Sequence, residues 1–337
     1  MAAVSEVSVN EWHLIETLGK SPTVVSVGGN VKNWATTKRL SPSADVRIDP
    51  IVEQVRSSGT KIVLPALDSA RDKRSYRIEC LPVVGPTGKV HAVQLWIGDP
   101  DVTPTPPRIV SGFSWLLDRF VIAQTLEAAL MSGVKPEDHV PERTPAEYYA
   151  KAIKFDDSEA MLAAGLNPVD DQTFDADMSV LHADGRVMRW HMWARGCVEE
   201  GERGLRLLWH DVTDTTPPRR PTLAELGLQE SVKDSGIYTA VFCTQTAVLA
   251  LWLPEPAPWV KWRDIPGANQ VIHADDRHLL SSAQDKFNLG STDPVHAVAR
   301  LRTENDDWRP SPLRISPYPG PLTERLAIVQ ISPLTES

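Results

Sequence analysis

Histidine and aspartate side chains are concentrated in the stretch "VIHADDRHLL", residues 271–280. It contains His273, Asp275, Asp276 and His278, and imidazole and carboxylate groups are ligands that Zn²⁺ and catalytic iron take in proteins. The same residues also suit the start of a helix, where Asp275 or Asp276 would accept hydrogen bonds from free backbone N–H groups. A related stretch, "FDDSEAML", has two carboxylates and no histidine. We therefore predict a helix start here and no metal site.

The motifs of common catalytic sites are incomplete or missing in the sequence. "LGKS", residues 18–21, resembles the end of a phosphate-binding loop, but Leu14 occupies the position of the loop's first glycine. The patterns G-x-S-x-G and H-E-x-x-H do not occur. We predict no catalytic residue and expect a protein that is not an enzyme, while an enzyme whose residues converge only in three dimensions stays the alternative. The cofactor is undefined.

A ligand pocket is predicted on the hairpin "LHADGRVMRWHMWAR", residues 181–195. Its two strands are joined by the turn residues Asp184 and Gly185. Alternation along the second strand places Met188, Trp190 and Met192 on one face, and Trp209 of the last strand joins them with Leu205 and Leu207. Methionine and tryptophan suit a small apolar pocket, and they equally suit a filled core. The opposite face carries Arg189, His191, Trp193 and Arg195.

Two proline-rich stretches divide the chain into thirds. They are "DPDVTPTPPR", residues 99–108, and "DTTPPRRPT", residues 214–222. Proline lacks the N–H that a sheet needs and resists helix formation, so both stretches are predicted to be extended linkers. The segments that follow them match one another in four places at an offset of about 120 residues, as expected of two copies of one fold. Each copy reads as two strands, a middle with short helices, and three closing strands.

The first third contains two predicted helices and a hairpin. Val9, Trp12, Ile15 and Leu18 have helical spacing. "DPIVEQVRSSG" has the signals of a second helix, with Asp49 as the N-cap, Pro50 in the first turn and Gly59 as the stop. "YRIECLPVVGPTGKVHAVQLWIG" is predicted to form two strands around a Gly-Pro-Thr-Gly turn.

Several of these stretches resemble sensor domains. "HADGRVMRW" followed by "LLWHDVTD" resembles the closing strands of a PAS domain. In the last third of the chain, "VIHADDRHLL" resembles the segment before the long PAS helix, although that third lacks the D-G turn and the final D-V-T. "GTKIVLP" and "LPVVGPTGKVHAVQLWI" resemble a GAF domain. The resemblance implies an α+β fold of three domains, each an antiparallel sheet flanked by helices: a GAF-like domain at 1–107 and PAS-like domains at 108–216 and 217–337.

Composition and charge narrow the function. The formal charge of −9 is spread along the chain without a basic run, which argues against a nucleic-acid partner. No secretion signal or membrane span is predicted, and the three cysteines, Cys80, Cys197 and Cys243, are expected to be reduced thiols in a cytoplasmic protein. With the resemblance, this indicates a cytoplasmic signalling sensor or scaffold that binds a small ligand, a protein partner or both. Output is expected through self-association or a partner, and an adaptor with filled pockets is the third alternative.

Overall fold

The computed structural model describes residues 9–233, 235–263 and 271–333. It is an α+β structure with three antiparallel sheets and few helices, as predicted. The chain divides into two compact units. Unit 1 comprises the described residues up to 115 together with 123–141 and 155–219, and unit 2 comprises 116–122, 142–154 and the described residues from 220 onward.

The first sheet lies in unit 1 and has the strand order β3-β2-β1-β6-β5-β4. Its strands are β1 (Glu11–Glu16), β2 (Thr23–Val27), β3 (Asn30–Thr36), β4 (Ile62–Asp68), β5 (Ser75–Val84) and β6 (Val90–Gly98). Helix α1 (Asp49–Ser58) packs on β5 and β6. The predicted hairpin is confirmed as β5 and β6.

The predicted helix through Val9, Trp12, Ile15 and Leu18 is wrong, because Trp12 and Ile15 belong to strand β1 and the other two residues flank it. β1 lies between β2 and β6 and is covered on both faces. Ile15 packs in the core that includes α1, whereas Leu14 packs in a second core with Trp193. A strand covered on both faces lacks the regular alternation of a half-buried strand, so its apolar residues can be mistaken for helical spacing.

Helix α1 is confirmed, with a shifted start. Asp49 is already helical and Ile48 is the N-cap, so the predicted N-cap is one residue too late. Gly59 ends the helix as predicted: it has φ of 65°, and its N–H donates to the carbonyl of Val55 at 2.9 Å.

The second sheet has seven strands, of which β11, β12, β13 and β7 are adjacent in this order. Its long strands are β7 (Val110–Leu116), β11 (Thr173–Leu181), β12 (Val187–Cys197) and β13 (Gly204–Asp211), and its short ones are β8 (Val121–Gln124), β9 (Glu142–Arg143) and β10 (Ala152–Lys154). The helices of this part of the chain are α2 (Leu126–Met131), α3 (Pro145–Tyr149) and α4 (Ser158–Leu166).

The third sheet lies in unit 2 and has the order β15-β14-β18-β17-β16. Its elements are α5 (Leu223–Lys233), β14 (Tyr238–Cys243), β15 (Val248–Leu253), α6 (His278–Asn288), β16 (Val295–Arg302), β17 (Trp308–Pro317) and β18 (Leu326–Ile331). The core of this unit includes Phe242, Trp252 and Trp262. Both copies of the repeat begin with two strands and end with three, as predicted, but the middle of the first copy also contains the short strands β9 and β10.

Three further sequence expectations concern the cysteines, a membrane span and the proline-rich stretches. All three cysteines are unpaired and buried, and burial raises the pKa of the Cys80 thiol to about 12. No helix within the described residues is long and apolar enough to cross a membrane. Residues 103–108 and 217–222, in the two proline-rich stretches, have neither helix nor strand.

Candidate functional site

The four predicted pocket residues are all buried. Met188, Trp190, Met192 and Trp209 are 2%, 5%, 0% and 4% exposed. Pairing of Met192 with Trp209 across β12 and β13 confirms that they share a face. The rings of Trp190 and Trp209 are 5.8 Å apart in an edge-to-face contact. None of the four lines either cavity described below, so their role in ligand binding stays a prediction.

The opposite face of β12 is also buried, within unit 1. Trp193 and Leu208 pack against Leu14 of the first sheet. Arg189 pairs with Asp177, and the Nδ1 atom of His191 lies 2.8 Å from the same carboxylate. Arg189, His191 and Arg195 on this face of β12 are therefore all buried.

Arg195 forms the most enclosed ion pair of this face. Its Nη2 donates to Glu16 Oε1 at 2.8 Å, and the two side chains are 9% and 0% exposed. Glu16 also accepts from the hydroxyl of Thr23 and from the N–H of Leu18. The guanidinium lies 4.8 Å from the ring centroid of Trp34. This pair joins the first and second sheets of unit 1, which is a structural role.

The His-Asp stretch at 271–280 precedes and begins helix α6, as predicted, but the predicted cap at Asp275 or Asp276 is wrong. His273, not an aspartate, caps the short 3₁₀ turn Ala274–Asp276. Asp276 instead accepts hydrogen bonds from the backbone and guanidinium of Arg300, at 2.8 to 2.9 Å, and these bonds lower the pKa of Asp276 to about 2. The carboxylate is better satisfied by a charged partner than by a helix end.

A cavity of about 490 Å³ lies in unit 2, and all its described lining residues belong to that unit. It is bordered by α3, β10, α5, the end of β15 and the segment that follows β15. Its volume is within the range of sites for small organic molecules.

Local sequence signals explain the elements around this cavity. The hydroxyl of Thr222 accepts from the N–H of Glu225, and the Glu225 carboxylate accepts from the N–H of Thr222 at 2.7 Å. This reciprocal pair is a capping box and starts α5. Glu225 also pairs with Lys154 of β10. At the start of α3, the N–H of Thr144 donates to the carboxylate of Glu147 at 3.2 Å in the same way. Helix α3 packs on β15.

The cavity wall is mainly apolar and aromatic. Trp252 and Trp262 line it with edge-to-face rings 6.3 Å apart, and Tyr149 faces it from α3. Burial raises the pKa of the Tyr149 phenol, so this hydroxyl stays neutral. Alanine, isoleucine, leucine and proline side chains complete the apolar wall: Ala146, Ala150, Ala152, Ile153, Leu226, Pro221, Pro254 and Pro256.

Four polar side chains also line the cavity: Arg220, Gln229, Glu255 and Arg263. The guanidinium of Arg263 stacks on Trp262, 4.3 Å from the ring centroid. Glu255 lies 3.8 Å from the Nζ atom of Lys233. The arrangement can therefore hold an apolar body and contact polar groups at its border.

A second cavity, of about 300 Å³, lies in unit 1 and is polar. Its cationic lining residues are Arg56, Lys89 and Arg206, and each of them already has hydrogen-bond or ion-pair partners within the protein. Lys89 contacts Glu199 and Glu202 at 2.8 and 2.9 Å, and Arg206 contacts the same two carboxylates. This cavity is the weaker ligand site because its cations have partners.

Within the described ranges 9–233, 235–263 and 271–333, these two glutamates also belong to a group of side chains that could hold a metal ion. Cys197, Glu199 and Glu202 have ligand atoms within 4.8 Å of one another. Although burial raises it, hydrogen bonds from Lys89 and Arg206 bring the pKa of Glu202 down to about 2. The adjoining cations already neutralise this group, so we assign no metal to it.

Sequence reasoning missed the larger cavity. Two sequence features mark the elements around it. One is the T-x-x-E capping box at 222–225, which begins at the last residue of a predicted linker, and the other is the tryptophan- and proline-rich run "LWLPEPAPWVKWR", residues 251–263. A proline-rich segment with several tryptophans can form an aromatic wall. Which elements it faces depends on tertiary packing, which no local pattern encodes.

Similarity to solved structures establishes the fold. The chain is similar to a crystal structure of an uncharacterized protein from Mycobacterium tuberculosis, with 22% identity, 97% of both chains covered and a TM-score of 0.76. It is also similar to a sensory box histidine kinase/response regulator from Burkholderia thailandensis E264, with 19% identity, 38% of this chain and 91% of that chain covered and a TM-score of 0.26. An RNA-binding light-oxygen-voltage receptor matches with 12% identity, 67% and 96% coverage and a TM-score of 0.26.

Family models identify the chain. No curated protein matches it. The model "Rv3651-like, N-terminal" matches residues 11–107, and the model "Rv3651-like, C-terminal domain" matches residues 224–316. The first match covers the first sheet, and the second covers most of the third. Together they span more than half of the sequence, and the chain therefore belongs to the Rv3651-like family.

Proposed function

We propose that this protein is a cytoplasmic sensor that binds a small organic molecule in the cavity of unit 2 and reports the bound state through contact with a partner or a second copy. The observation that carries the proposal is the 490 Å³ cavity with its two tryptophans. The resemblance of the sequence to one GAF and two PAS domains supports the sensory role. The buried, unpaired cysteines suit a reducing compartment.

Binding without turnover is the second part of the proposal. Among the described lining residues there is no histidine, cysteine, serine or threonine, and Glu255 is paired with Lys233. Nucleophilic catalysis needs an activated nucleophile beside a base. The wall of the cavity is better suited to holding a molecule than to reacting with it.

The test is native mass spectrometry of the protein purified from its own cells, compared with a variant whose cavity is filled. Ala150 is exposed and lines the cavity, so Ala150→Trp should block it without disturbing the core. Ala224 is exposed on the first turn of α5 and does not line it, so Ala224→Trp is the matched control. We expect a retained small molecule in the wild type and in the Ala224 variant and none in the Ala150 variant.

Two results would contradict the proposal. A molecule retained equally by all three proteins would place binding elsewhere. An empty cavity in all of them, with no thermal stabilisation of the wild type by any member of a small-molecule library, would favour an adaptor that binds no small molecule.

A further inference from the structure

Two arginines at the large cavity have no acidic partner among the residues that the structure describes. Arg220 and Arg263 both line the cavity and are exposed. The other arginines that line a cavity in the described part of the chain, Arg56, Arg108 and Arg206, are engaged by carbonyls and carboxylates. Arg220 and Arg263 therefore have guanidinium donors available for a ligand.

Stacking orients one of these arginines. The guanidinium of Arg263 lies 4.3 Å from the ring centroid of Trp262, which itself is 6% exposed. A planar guanidinium held against an aromatic face keeps the N–H donors at its edge for an oxyanion. Trp262 therefore contributes twice, as apolar wall and as support for the cation.

The charge of the lining favours an anion. Glu255 is the one carboxylate among the described lining residues, and Lys233 lies 3.8 Å from it. Two arginines against one glutamate leave an excess of positive charge around an apolar wall. A cationic ligand would be repelled, whereas an acid would gain charge-assisted hydrogen bonds.

We infer that the cavity binds a small organic acid, with a flat aromatic or short aliphatic body against Trp252 and Trp262 and its acidic group at Arg220 and Arg263. The inference rests on the proposed function, because it names the ligand class of the same cavity. A carboxylate, a sulfonate and a phosphate share the chemistry that two guanidinium groups recognise. The apolar wall excludes small inorganic anions as the preferred ligand, because they would leave it in contact with water.

The experiment uses two dyes that share one ring system. 8-Anilino-1-naphthalenesulfonate carries a sulfonate, and N-phenyl-1-naphthylamine is its uncharged counterpart; both fluoresce more strongly in apolar surroundings. We expect the full-length protein to bind the sulfonate at least about tenfold more tightly, as charged hydrogen bonds at a partly open site allow. Raising the salt concentration should reduce this preference.

Substitution of the arginines separates charge from shape. Arg220→Gln and Arg263→Gln should each weaken sulfonate binding about tenfold and change binding of the neutral dye less than about twofold. Arg309 is the matched control, because it is exposed in the same unit, lies 6.0 Å from the ring of Trp259 and does not line the cavity. Arg309→Gln should leave both affinities unchanged. All three positions are exposed, and circular dichroism checks that the variants fold.

The outcomes distinguish this inference from the proposed function. Equal affinities for the two dyes, both abolished by Ala150→Trp and unaffected at Arg220 and Arg263, would overturn the acid and leave a binding cavity. Dye binding that survives Ala150→Trp would overturn the cavity as the site and the proposed function with it.

Discussion

Arg195 and Glu16 show how one buried pair can determine the fit of two sheets. Removing one partner leaves the other charge buried without compensation, which typically costs about 3–5 kcal/mol. We expect Arg195→Ala to lower the free energy of unfolding by that amount in urea denaturation. The glutamate would lose its donors at 2.8 and 3.3 Å.

An exposed pair nearby provides the control. Lys20 and Asp170 are 2.9 Å apart with side chains 77% and 44% exposed, so Lys20→Ala should change stability by less than about 0.5 kcal/mol. Similar losses in the two variants would show that Arg195 does not hold the sheets together.

The same residues show what alternation can and cannot predict. The pattern of β12 correctly separates Met188, Trp190 and Met192 from Arg189 and Arg195. It does not show that the arginine face is also covered, because polar residues at every second position usually indicate solvent. The partners that make this burial tolerable, Glu16 and Asp177, come from other strands. Such pairing is a tertiary property.

At the scale of elements, two glycines in helices differ in the space available for an added Cβ atom. An added Cβ at Gly165 of α4 would lie 2.9 Å from two ring atoms of Trp115, a fully buried side chain. At Gly227 of α5 it would meet nothing within 4 Å. We expect Gly165→Ala to destabilise the protein by about 1–3 kcal/mol through overpacking.

Gly227→Ala should instead stabilise α5 by about 0.5–1 kcal/mol, because alanine restricts the unfolded chain and favours the helix. Thermal unfolding of both variants tests the pair. Loss of stability at Gly227 equal to that at Gly165 would mean that backbone conformation, and not the Trp115 ring, decides the effect.

Elements with their own stop and start signals were predictable, and those defined by packing were not. Helix α1 has Pro50 and Gly59, and the hairpins have their turns, so local sequence was sufficient. The repeat predicts two strands at the start of each copy, and in the second third of the chain these are β7 and β8. Strand β1 has no such signals and was mistaken for a helix. The cavity was missed because α3, β10 and α5 meet there from distant parts of the sequence.

At the scale of the whole molecule, buried histidines are confined to unit 1. His191 is 5% exposed and contacts Asp177. The other three, His13, His91 and His210, are 2%, 0% and 2% exposed. Burial lowers the pKa of all three, to about 4 for His91 and about 3 for His210, and the positive charge of Arg108 contributes at His210. Each ring is therefore neutral in the folded protein at neutral pH.

This distribution predicts a loss of stability in mild acid. The pKa of a histidine in the unfolded chain is about 6.5, above the folded value, so the unfolded state takes up protons first as the pH falls. The stability associated with neutral His91 and His210 is complete above about pH 6.5 and is lost as the pH falls toward about 4. Each of these histidines should contribute up to about 1.4 kcal/mol per pH unit in this window.

Urea denaturation at about pH 7, 6 and 5, followed by circular dichroism, measures the effect. His91→Gln and His210→Gln remove one proton-binding group each, so stability should depend less steeply on pH in these variants, whatever their stability at neutral pH. His278→Gln changes an exposed histidine of unit 2 and serves as the control for the substitution itself. Carboxylates with lowered pKa values, such as Glu202 and Asp276, begin to take up protons in the unfolded chain only below about pH 5, so they contribute little between pH 7 and 5. An unaltered slope in both buried-histidine variants would assign the acid sensitivity to other groups.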